Sequence, residues 1–146
     1  MSTGYFDLME RLEVGAASTS FIPDDAPITK RDLVSLEHLL DQLYAAIGMD
    51  IGFTKHFLDR VNDVRNRKQI TIGELKQLFV DAFRQYKGQF EKMKIDFEAV
   101  LTDLRSDINI PFAITWNNKQ GELEIISKTI MRNKNFRTSN KKLYVR

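Results

Sequence analysis

The sequence contains no cysteine, which excludes a disulfide framework, a thiolate nucleophile and any zinc site built on sulfur ligands. His38 and His56 are the only imidazoles; neither has a carboxylate four positions away, and no Asp-rich loop with a glycine occurs, so no metal site is expected. The seven glycines form neither a G-x-x-x-x-G-K-S/T nor a G-x-G-x-x-G arrangement, and no G-x-S-x-G elbow is present. The usual signals of nucleotide hydrolysis, dinucleotide binding and serine hydrolysis are therefore missing, and no cofactor is expected. No apolar run approaches the roughly 20 residues of a membrane-spanning helix. Asp7, Glu10 and Arg11 interrupt the start of the chain where a signal peptide would have its apolar core, so neither membrane insertion nor secretion is expected.

The 146 residues have a composition, 42% hydrophobic and 29% charged, that is ordinary for a folded soluble domain. The formal net charge of +2 conceals an asymmetry. Residues 1–118 carry 14 Lys/Arg and 18 Asp/Glu, a net −4, whereas residues 119–146 carry 8 Lys/Arg and 2 Asp/Glu, a net +6. After Glu124 there is no acid, while Lys128, Arg132, Lys134, Arg137, Lys141, Lys142 and Arg146 follow. Such a block is either an anion-binding surface or a solvated chain end.

Residues 1–27 read as an arm and linker: YFDLMERLE at 5–13 has the pattern of a short amphipathic helix, and the small, polar stretch behind it holds Pro23 and Pro27. A single domain is expected over 28–146. Leu33, Leu36, Leu40, Leu43 and Ile47, with Leu39 widening the stripe, predict a helix over 31–47 stopped by Gly48. His38 on that helix reads as structural or solvent-facing. Thr54 is placed to cap a second helix, 55–65, with Phe57, Leu58, Val61 and Val64 as apolar positions. Thr71 and Glu74 form a capping-box pattern for a third helix ending before Gly88. Phe97, Val100, Leu101 and Leu104 suggest a fourth, from 90 or 96 to 105. From Ile108 the apolar period changes to two, predicting a strand over 108–116, and Pro111 argues that it is an edge or a strand start. NNKQG at 117–121 reads as a turn into a second extended segment, and Leu143–Val145 as a short last strand beside this hairpin. The expected fold is α+β, three to four N-terminal helices packed on a small C-terminal antiparallel sheet.

The residues that invite chemistry lie at 53–65. His56 and Arg60 are four apart and share one helix face. Arg65 points away from His56 on a continuous helix and joins it only if the helix ends near Asn62. Histidine is suited to proton transfer near neutral pH, and a neighbouring arginine holds phosphate and stabilises charge added in a transition state. That pairing fits metal-free RNA cleavage by the ribose 2′-hydroxyl. The same pattern also fits a solvated helix face on which Asp59 and Asp63 neutralise the arginines.

The order T-x-H-x-x-x-R from Thr54 to Arg60, a second arginine at 65, I-T-x-x-E-L at 70–75 and a terminal hairpin resembles the barnase/EndoU/colicin/RelE-like nuclease superfamily, in its phage-borne and toxin-like branches. The resemblance covers roughly residues 53–132. It implies a small metal-independent ribonuclease, or an RNA-binding relative, in a host cytoplasm or a virion. Thr54 matches the cap, His56 the helix histidine, Arg60 and Arg65 the arginines, and Lys128, Thr129 and Arg132 the late-strand polar group. The implied catalytic set is His56, Arg60, Lys128 and Thr129, with Arg65, Arg132, Lys134, Arg137, Lys141 and Lys142 binding nucleic acid. A fourth helix at 90–105 departs from the pattern, since a strand is usual there. The alternative is a noncatalytic virion or interaction protein that docks through residues 5–13 and meets nucleic acid, or another partner, through its basic end.

Overall fold

The computed structural model describes residues 26–146. Three α-helices and a six-stranded mixed sheet make up this part of the chain: α1 (Lys30–Tyr44), β1 (Met49–Phe53), α2 (Lys55–Val61), α3 (Ile72–Lys92), β2 (Glu98–Asp103), β3 (Ile108–Asn117), β4 (Glu122–Ser127), β5 (Met131–Arg132) and β6 (Lys141–Val145). The strand order is β1-β4-β3-β2-β6, with β5 also paired to β3. Pairing is antiparallel through β2-β3-β4 and β3-β5, but β1 runs parallel to β4 and β6 parallel to β2. Among the described residues no helix is long and apolar enough to cross a membrane.

Local chemistry explains the helix starts. In α1 the Thr29 hydroxyl accepts the Asp32 amide at 3.1 Å while the Asp32 carboxylate accepts the Thr29 amide at 2.9 Å, and Thr71 and Glu74 repeat this box at the start of α3. Each such cap is worth about 1 kcal/mol. Leu33, Leu36, Leu40, Leu43 and Tyr44 bury one face of α1 against α3 and the sheet, and Gly48 adopts the left-handed φ of 69° that turns the chain into β1. The core is aromatic where the layers meet. Tyr44 contacts Phe83 and Phe90, Phe90 contacts Phe112, and Phe53 contacts Phe57 and Phe79.

Several expectations need correction. The sheet is mixed and not purely antiparallel, and it is more than a C-terminal hairpin, because β1 precedes α2 and pairs with β4. There are three helices among the described residues, because the expected fourth is strand β2. Its apolar residues occur as one short run, Ala99-Val100-Leu101, buried on both faces, and such a run carries no period that separates helix from strand. The third helix does not stop before Gly88 but continues to Lys92, because Phe90 on that extension is fully buried against Tyr44 and Phe112. Burying a phenylalanine returns about 2 kcal/mol, more than the roughly 1 kcal/mol a glycine costs inside a helix. Leu39 and Val64, read as apolar-face positions, are exposed. The last strand lies beside β2, away from β4. Pro111 is inside the central strand β3; its carbonyl accepts the Lys128 amide at 2.9 Å, so its missing N–H falls on the side where the neighbouring chain breaks between β4 and β5. The 1–27 arm, including the 5–13 docking segment, lies outside the described residues except for its last two.

Candidate functional site

Helix α2 ends at Val61 with Asn62 as its C-cap, and a 3-10 turn over Val64–Asn66 follows. That early stop meets the condition for Arg65 to join His56 and Arg60. Thr54 does two things at the other end of α2. Its hydroxyl accepts the Phe57 amide at 3.0 Å, capping the helix, and donates to the Lys128 carbonyl at 2.7 Å, which fixes the start of the 128–135 segment beside His56. Asn66, almost fully buried, completes the join: its amide nitrogen donates to the Arg60 carbonyl at 2.9 Å and its oxygen accepts the Arg132 amide at 3.0 Å.

The result is an open cleft of about 780 Å³ between α2, the 63–67 turn and the 129–135 segment. His56, Arg60, Arg65, Thr129, Arg132 and Lys134 line it, as the sequence had suggested for a site. Asp63, named from the sequence only as a carboxylate that pairs the arginines, lines it too, as do Asn66, Arg67, Asp107, Asn133 and Asn135, which were not singled out from the sequence. The cleft thus gathers five cationic side chains against two carboxylates. The signal for the missed residues was present in R-N-R-K at 65–68 and N-K-N at 133–135, two short cationic amide-rich stretches with no visible reason to meet. Asn66 supplies that reason through its bond to the Arg132 amide, next to the second stretch. Asn109, buried at the β2-β3 end, donates to the Asp107 carbonyl at 3.1 Å and the Asn133 carbonyl at 2.9 Å, tying the 133–135 stretch to the turn before β3.

The cations are not equally available. Arg132 is committed: its guanidinium binds both oxygens of Glu74, at 2.9 and 3.1 Å, and the Ser106 carbonyl at 2.9 Å. Burial raises the Glu74 carboxyl, but the Arg132 hydrogen bonds, the Thr71 amide and the charges of Arg132 and Lys68 outweigh it, leaving the group below its ordinary value. Arg60 and Arg65 both contact Asp63. Lys134 and Arg67 have no carboxylate partner among the described residues. Among the described residues only Arg67, Asp96 and Asp107 are non-glycines with positive φ, and two of these three, Arg67 at 67° and Asp107 at 61°, line the cleft. Strained backbone concentrates at working surfaces, each instance costing about 1–3 kcal/mol.

Four of the expected residues are not brought to the cleft lining. Lys128 turns away and pairs with Glu98. Lys142 donates to the Phe136 carbonyl at 2.6 Å and lies 5.6 Å from the centre of that ring, while Arg137 and Lys141 are exposed elsewhere. His38 is exposed on α1. Among the described residues no group of three or more His, Asp or Glu is arranged to hold a metal ion.

Fold and cleft together define an α+β protein with a cationic, amide-rich groove beside the broken edge of a mixed sheet. Compared with known proteins, the chain matches no family model, no curated protein and no solved structure.

Proposed function

We propose that the cleft binds single-stranded RNA and cleaves it without a metal ion, in the manner of a toxin-like ribonuclease of phage origin. The observation that carries this reading is that His56 shares one open cleft with Arg60, Arg65, Arg67 and Lys134. The volume lies in the upper part of the range of about 300–1,000 Å³ usual for small-ligand sites, and the open shape suits a chain passing through. The strand at 98–103 also removes the departure that a fourth helix would have made from the nuclease resemblance.

In this reading His56 takes the proton of a ribose 2′-hydroxyl. The 2′-oxygen bonds to phosphorus as the P–O5′ bond breaks, leaving a 2′,3′-cyclic phosphate and a 5′-oxygen that takes its proton from water. Lys134 and Arg67 attract the backbone, Arg60 faces the phosphate one helical turn from His56, and the Thr129 hydroxyl and the Asn133 and Asn135 amides supply neutral donors. Lys128 has no part in this scheme, and Arg132 acts as a positioning residue for β5. The test is incubation with unstructured RNA, a hairpin and tRNA in EDTA, with His56→Ala in parallel. Cleavage is expected to fall by about 100-fold or more in the variant, and RNA carrying a 2′-deoxyribose at the scissile position is expected to stay intact. Absence of His56-dependent cleavage on all three substrates overturns the catalytic reading.

A second reading, a noncatalytic nucleic-acid-binding or virion module, draws on the commitment of Arg132 to Glu74 and of Lys128 to Glu98. Binding that weakens steeply with salt, with no cleavage, selects it.

A further inference from the structure

The Asp63 carboxylate is held by two of the cleft's arginines. Arg65 forks onto its carboxylate, Nε to Oδ1 at 3.1 Å and Nη2 to Oδ2 at 2.8 Å, and Arg60 reaches Oδ2 from α2 at 3.3 Å. All three line the cleft. Two guanidinium groups converging on a pair of acceptor oxygens is also the geometry that recognises a phosphodiester, because carboxylate and phosphate offer the same two-oxygen edge to the arginine fork. We propose that Arg60 and Arg65 form a phosphate subsite occupied in the free protein by the chain's own Asp63, which an incoming RNA backbone phosphate displaces; this rests on the RNA-binding reading of the cleft.

The exchange is energetically accessible. The Arg65 side chain is 71% exposed and that of Arg60 37% exposed, so water competes for both and their ion pairs contribute little to stability. Asp63 itself is held in place, since its Oδ1 accepts the Arg65 amide at 2.8 Å and caps the 3-10 turn. On ligand binding the flexible arginines swing while the carboxylate stays. Asp63 then acts as a threshold. A small anion such as inorganic phosphate makes too few contacts to replace it, whereas a polyanion that also engages Lys134 and Arg67 does.

The experiment measures binding of a fluorescent oligouridylate and of inorganic pyrophosphate to the full chain and to Asp63→Asn, which keeps an acceptor for the turn cap. Asp63→Asn is expected to bind the oligonucleotide about five- to tenfold tighter at low salt, with a salt slope steeper by about 0.7 for each phosphate newly engaged, and to gain measurable pyrophosphate affinity. Adding Arg65→Ala is expected to remove the gain. Asp63→Ser, another capping residue, serves as the second variant if Asp63→Asn lowers the melting temperature. Unchanged or weaker binding by a folded Asp63 variant, with the wild type still binding RNA, overturns the subsite alone. Failure of wild type and variant alike to bind RNA overturns the subsite and the RNA reading together.

Discussion

The guanidinium of Arg132 is forked onto the carboxylate of Glu74, and both side chains are mostly buried, 14% and 26% exposed. The pair joins β5, which carries the cleft floor, to the first turn of α3, which carries the aromatic core. An arginine that the sequence suggested for nucleic acid is thereby a tie between the cleft and the rest of the fold.

Cutting that tie should be costly. Arg132→Ala leaves a half-buried carboxylate without its partner, and a loss of about 2–4 kcal/mol is expected by denaturant unfolding. Because the Glu74 carboxyl lies lower in the folded chain than its ordinary 4.5, its contribution is present above that pH and disappears as pH falls through the folded value. Comparing acid unfolding of wild type and Glu74→Gln should show this limb flattened in the variant. An identical acid limb in the two proteins would contradict the assignment.

A group of carboxylates around β1 and β4 has the opposite sign. Asp50 and Glu124 are register partners across the parallel pair, Asp41 accepts the Ile51 amide at 2.7 Å, and Glu37 faces them from α1. Burial first, then mutual repulsion, raises Glu37 and Glu124; burial and Asp50 raise Asp41 despite the Ile51 amide. Raised folded values mean stability that is present below the ordinary 4.5 of a glutamate and lost as pH climbs through the folded value. Glu124→Gln should therefore raise stability at neutral pH by a few tenths to about 1 kcal/mol, the scale of like-charge cross-strand pairs. The gain should vanish near pH 4 in thermal melts, roughly the ordinary carboxylate range.

Gly88 sits inside α3 with open space where a Cβ would be. Gly88→Ala should stabilise the protein by about 0.5–1 kcal/mol and leave the proposed RNA binding untouched, since the residue is not part of the cleft. A destabilised variant would show that the helix does not continue through this position in solution.

Arg67 tests whether strain at the cleft serves binding. Arg67→Gly relieves a left-handed backbone and should raise stability by about 1 kcal/mol. It also removes a cation with no carboxylate partner among the described residues, so on the proposed reading oligonucleotide affinity should fall and the salt slope should shrink by about 0.7. Loss of stability together with unchanged binding would count against both expectations.

What could be read from the chain were features encoded within one helical turn or one hairpin. Thr54 and Thr71 announced the starts of α2 and α3, and the 3.6-residue stripe of α1 and the alternation of β3 named their own classes. The stretches that misled were short and apolar. Ala99-Val100-Leu101 fits either class in isolation, and became a strand because β3 and β6 offered ladders on both sides. Met49–Phe53 passed unnoticed because Asp50 and Gly52 break its apolar character, yet a parallel partner in β4 made it a strand.

The sequence by itself determined the α+β class, the charge imbalance and the proximity of His56 to Arg60, since each depends on neighbours along the chain. Only the tertiary structure decided which cations meet, because that depends on contacts between residues far apart in sequence. Asn66 and Thr54 bring residues 129–134 to α2 across more than sixty positions, Glu74 immobilises Arg132, and Glu98 draws Lys128 away. Charge along a chain is fixed by composition, whereas its availability in a cleft is set by which partners the fold has already supplied.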